Sequence, residues 1–147
     1  MVHLKSLDIS KNNFEAVPSE IHYDGLETLI LDKNPMSILK SHSFSGMSSL
    51  QKLSVCEMPN LESVHEVAFA GLRNLSILHM DYNPKLAFID PDAFVDFQFP
   101  MVLRRFSICH NFLRYLPNSL LPELRSESSY NIQYLKFPQR KLIFFCS

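Results

Sequence analysis

The chain has 147 residues, 46% of them apolar, with 14 lysines and arginines against 15 aspartates and glutamates. That is enough for one domain with a buried core, and it is not the composition of a disordered chain. A net charge of −1, spread along the sequence, excludes the basic balance of a nucleic-acid binder or of a protein held on an acidic membrane surface.

The first predicted element is a short strand in which Leu4, Leu7 and Ile9 precede Asn12. The same L-x-x-L-x-L-x-x-N spacing returns at Leu26, Leu29, Leu31 and Asn34, and again at Leu50, Leu53 and Val55 with Met58 in the place of the amide. Leu75, Leu78, Met80 and Asn83 form the fourth copy, and Leu103, Phe106, Ile108 and Asn111 the fifth. Their first leucines are 22, 24, 25 and 28 residues apart (4 to 26, 26 to 50, 50 to 75, 75 to 103), the period of a solenoid. Alternation of apolar and polar residues turns one face of each strand inward, and stacked copies pair into a parallel sheet with strands about 4.8 Å apart. At the turn after each strand, an asparagine amide can satisfy backbone groups that would cost about 1–3 kcal/mol each if buried bare. Met58 interrupts that series, and the expectation is that neighbouring turns or water make up the loss.

Phe44, Phe69 and Phe94 recur at matching phase in SFSGMSSL, AFAGLRNL and AFVDFQF, which predicts short helical or 3-10 turns delivering a phenylalanine to the core. The outer copies use a shorter form, FEAVPSEI and LRYLPNSL. Three extra residues fall within VDFQFPMV, expected as a surface bulge. The sequence therefore divides into a solenoid over residues 1–121 and an irregular tail without repeat pattern over 122–147. The opening MVHLKSLDIS lacks a leader pattern, and no apolar run approaches the roughly 18 to 20 residues of a membrane helix.

These copies resemble the leucine-rich repeat family over Leu4 to about Leu121. The middle units, with N-P-x-x-x-x-I/L and an A-F-x-G-L turn, are similar to the animal extracellular subclass of Toll-type receptors, Slit, chaoptin and the small leucine-rich proteoglycans. The resemblance implies an α/β-class, right-handed solenoid with a concave parallel sheet, used for recognition of protein ligands. Members of the subclass carry cysteine-rich caps that this sequence lacks. The expectation is an internal segment of a larger ectodomain, or else a small protein with exposed ends prone to self-association.

Stacking aligns the outward strand positions in columns. One runs Ser6, Thr28, Lys52, Ile77, Arg105; the next Asp8, Ile30, Ser54, His79, Ser107; a third Ser10, Asp32, Cys56, Asp81, Cys109; a fourth Lys11, Lys33, Glu57, Tyr82, His110. His79, Asp81, Tyr82, Arg105 and His110, with Asp32 and Lys52, are the candidate ligand-binding residues, because they put aromatic, arginine and ionisable groups on adjacent strands. Cys56 and Cys109 stand about 9–10 Å apart, beyond disulfide reach, and a flat row of side chains does not converge on a metal. The expectation is reduced, partly exposed thiols, or pairing of Cys146 outside this sequence. Asn74-Leu75-Ser76 is the one glycosylation sequon. His3, His22, His42 and His65 lie outside the columns and read as surface residues. No phosphate loop, H-E-x-x-H or G-x-S-x-G occurs, so no catalysis and no cofactor are expected. A cytosolic adaptor is the alternative to an extracellular module.

Overall fold

The computed structural model describes residues 3–95 and 103–114, together with the backbone of two strands at 134–137 and 141–144. Each copy of the repeat opens on a three-residue strand: β1 (Ser6–Asp8), β2 (Thr28–Ile30), β4 (Lys52–Ser54), β6 (Ile77–His79) and β8 (Arg105–Ser107). They pair in parallel in that order, with Leu7, Leu29, Leu53, Leu78 and Phe106 as successive partners. From Leu29 onward each of these central residues is fully buried, as alternation demands.

A second parallel sheet, not anticipated from the sequence, is made by β3 (Ile38–Leu39), β5 (Ser63–Val64) and β7 (Phe88–Ile89). Its inward members Leu39, Val64 and Ile89 close the core from below the asparagine turns. Among the described residues the backs of the coils are chained turns, with a 3-10 segment at Ser19–Ile21. There the expected phenylalanine stripe is a stack: Phe44 lies 5.7 Å from Phe69 at 3°, and Phe69 lies 4.8 Å from Phe94 at 20°. Gly46 and Gly71 follow two of these rings at φ 78° and 89°, a conformation that a side chain would strain.

The asparagines join neighbouring coils. Asn83 is fully buried; its Nδ2 donates to Met80 O in its own coil and Val55 O in the one before, while its Oδ1 accepts the Met58 N–H. Asn34 repeats this with Leu31 O, Ile9 O and the Phe14 N–H, and Asn111 takes the Asn83 N–H and reaches Met80 O. Met58 is itself buried, and the sheet runs through its coil without a change of register.

Val67 stands at φ 48° in a convex turn, donating its N–H to Asp92 O at 2.9 Å. A β-branched residue is strained there by about 1–2 kcal/mol. Val67→Asn is therefore expected to stabilise the chain by about 1 kcal/mol in urea denaturation, and a loss of stability would show that the left-handed turn is not what limits this position.

Within the segment read as a tail, β9 (Tyr134–Phe137) and β10 (Lys141–Phe144) form an antiparallel pair, and β10 adds to β8 in parallel. The rest of residues 115–147 lies outside the described residues, as does all but Val95 of the segment VDFQFPMV expected to hold the insertion. Among the described residues no helix is long and apolar enough to cross a membrane.

Candidate binding surface on the sheet face

The outward positions of β4, β6 and β8 set Lys52, Ile77 and Arg105 in one row. Beside it His79 lies between Ser54 and Ser107, half-buried, with Nδ1 at 4.0 Å from Asp81 Oδ2. Partial burial lowers the His79 pKa from its ordinary value; Asp81 opposes the shift, while Lys52 and Arg105 reinforce it. The imidazole is thus held toward its neutral form, in which one ring nitrogen donates and the other accepts.

The third column is knitted into the fold. Asp32 Oδ1 accepts the Ser54 hydroxyl and the Cys56 N–H, both at 2.8 Å. One coil on, Cys56 Sγ accepts the Asp81 N–H at 3.3 Å, and Asp81 Oδ1 in turn accepts the Ser107 hydroxyl and the Cys109 N–H at 2.6 Å. Carboxylate, sulfur and carboxylate each hold the backbone of the next strand, a second ladder beside that of the asparagines. Hydrogen bonds to a charged acceptor contribute about 1.5–3 kcal/mol, so these two aspartates are first of all joints between coils.

Burial pushes the Cys56 thiol up to about 11, so it is neutral at physiological pH and a poor nucleophile. Cys56 is free, but Cys109 is buried and disulfide-bonded. The expectation of reduced, partly exposed thiols holds for Cys56 and fails for Cys109, whose partner lies outside the described residues. His22 also departs from its surface reading. It is half-buried, and its Nε2 is enclosed with no hydrogen-bond partner among the described residues.

The fourth column turns aside from the sheet. Lys11, Lys33, Glu57, Tyr82 and His110 all have left-handed backbone, φ 52° to 60°, and four of them donate N–H to the next coil, Tyr82 to Cys109 O at 2.8 Å for example. Their side chains pair along the flank. Lys33 meets Glu57 at 3.0 Å, and the rings of Tyr82 and His110 stack at 4.4 Å and 15°. The seven candidates therefore do not form one patch. Lys52, His79 and Arg105 face out from the sheet, Asp32 and Asp81 are embedded, and Tyr82 and His110 edge the flank. Sequence reasoning passed over Phe112, exposed at 59% beside them. Its signal was an aromatic directly after Asn111, where Asn34 and Asn83 are followed by proline. Asn74 is exposed in a turn, its Nδ2 donating to Ser48 O at 2.9 Å.

A stack of parallel three-residue strands closed by asparagine turns is the architecture of a leucine-rich repeat solenoid. Residues 2–56 match the family described as leucine rich repeat. The chain is 28% identical over 129 residues to Tsukushi of Mus musculus, an alignment covering 88% of this chain and 35% of that protein. Over 62 residues, 42% of this chain, it is 37% identical to Tsukushi of Xenopus tropicalis and 39% to Tsukushi-A of Xenopus laevis, covering 17% of each. The chain thus spans about a third or less of the length of these relatives.

Proposed function

We propose that the solenoid of residues 1–121 is a non-catalytic protein-recognition module of an extracellular receptor, adhesion or matrix protein, binding its protein ligand on the concave sheet face. The observation that carries this reading is the row of Lys52, Ile77 and Arg105 with His79 beside it, outward on three hydrogen-bonded strands. Such a row gives a ligand a rigid surface whose side chains need little further ordering. Tyr82 and His110 would form its rim, and Asp32 and Asp81 would fix its backbone. The extracellular setting is supported by the disulfide at Cys109, a bond that persists in oxidising compartments, and by the exposed sequon. A glycan on Asn74 would appear as a mass lost on glycosidase treatment and absent from Ser76→Ala.

The test is charge reversal of residues that do not hold the fold. Lys52→Glu with Arg105→Glu is expected to weaken attachment of the purified chain to extracellular matrix by about 10-fold or more. Reversal of the exposed pair Lys40 and Arg73, off the sheet face, should leave it within about 2-fold. The opposite ranking would remove the sheet face from consideration.

A further inference from the structure

Beside the sheet face, between the third and fourth coils, Glu57, Pro59, Tyr82 and Pro84 line a groove. Glu57, Tyr82 and His110 occupy the same position in successive coils, which lie about 4.8 Å apart. His110 covers one face of the Tyr82 ring in a near-parallel stack, so the opposite face is the one turned toward Glu57 and the groove. Tyr82 is 55% exposed.

The geometry points to a receptor for an arginine side chain of a protein partner, with its guanidinium laid on the open face of Tyr82 and bonded to the Glu57 carboxylate. The ring face attracts a cation, and a planar one most effectively because it can stack. A carboxylate beside the ring matches the guanidinium fork. The two prolines supply apolar walls for the methylene stem and, having no N–H, present no backbone donor to an anionic or neutral polar group. Glu57 already takes a cation here: Lys33 Nζ lies 3.0 Å from its Oε2. Both side chains are largely exposed, at 42% and 51%, so the pair is weak and Lys33 acts as an internal competitor for the carboxylate. This deepens the recognition reading and rests on it in taking the partner to be a protein; it shares Tyr82 with the rim of the sheet face but uses none of Lys52, His79 or Arg105.

The experiment is an NMR titration with N-acetyl-arginine amide, read on the Tyr82 ring signals, with the citrulline and lysine amides as neutral and non-planar controls. Arginine is expected to shift the Tyr82 signals and move its own methylene protons upfield. Citrulline should do neither, and lysine should bind more weakly. Glu57→Gln should abolish both shifts and Tyr82→Leu the upfield shift of the arginine methylenes, whereas Lys33→Ala should tighten binding by about 2- to 5-fold. The Lys52→Glu/Arg105→Glu variant should titrate as the parent does, which separates failure of the groove from failure of the sheet face. Equal shifts with citrulline, no shift at Tyr82, or weaker binding in Lys33→Ala would each overturn the assignment.

Discussion

Asn83→Leu is expected to cost about 4 kcal/mol of folding stability, because it strips two buried backbone groups of their partners at about 1–3 kcal/mol each. The Met58 N–H loses its acceptor and Val55 O loses its donor, whereas Met80 O keeps the Asn111 amide. The native Met58 shows why position matters. Its coil does without an amide of its own because Asn83 serves it from the next coil, so removing Asn83 leaves the third coil with no amide at all while Asn111 still serves the fourth. Met58→Asn should then relieve the defect. Placed as Asn83 is placed in its own coil, the new amide would reach Val55 O, and Asn83→Leu in that background should cost about half as much. Asn12→Leu is the control, since Asn12 is exposed and bonds only Ile9 O and Ser10 O of its own coil, and should stay within about 1 kcal/mol. Urea denaturation of the four variants measures all of this; an Asn83→Leu loss no larger than that of Asn12→Leu would mean that the amide ladder does not hold the coils.

The spacing of leucines revealed the strands, their register and the phenylalanine stack because each depends on one coil's own periodicity. Leu29, Leu53 and Leu78 had to coincide once the period was known. The second sheet escaped notice since its members, Ile38–Leu39, Ser63–Val64 and Phe88–Ile89, are two residues long, too short for alternation to register. The left-handed column was equally hidden. Lysine, glutamate, tyrosine and histidine are not the residues whose chemistry announces positive φ, and the coil imposes it through the N–H bonds they make to the next strand.

For the candidate surface, the columns were legible and the roles within them were not. Asp32 and Asp81 look like contact residues when only their exposure is inferred. Their work with Ser54, Cys56, Ser107 and Cys109 appears only when strands 22 to 28 residues apart are set side by side. A carboxylate facing a serine and an N–H of the next coil is satisfied inside the fold, and its charge is only partly available to a ligand. This is why Lys52 and Arg105, not Asp81, are the residues to reverse when binding is tested: reversal at Asp81 would unseat β8 and confuse a binding loss with a folding loss.

Phe69→Ala is expected to cost about 4 kcal/mol or more, the upper part of the range for a buried aromatic. The ring is fully buried and stacked on both sides, so its loss removes two aromatic contacts of about 0.5–1.5 kcal/mol each besides the area term. Phe44 and Phe94 cannot close the gap, because the strands on the opposite side of each coil fix their separation through the sheet. Phe69→Leu should recover roughly half of the loss, and Phe112→Ala, at an exposed ring, should cost little. The consequence extends beyond one coil. In a stack stabilised by contacts between neighbours, a weak third coil uncouples the first two from the fourth and fifth. Hydrogen exchange should then show the Tyr82 and Asn83 amides opening separately from the Leu31 and Lys33 amides, where the parent protects both groups together. If the two groups still exchange together in Phe69→Ala, the phenylalanine stack does not couple the coils, and the amide and carboxylate ladders alone carry cooperativity from one end to the other.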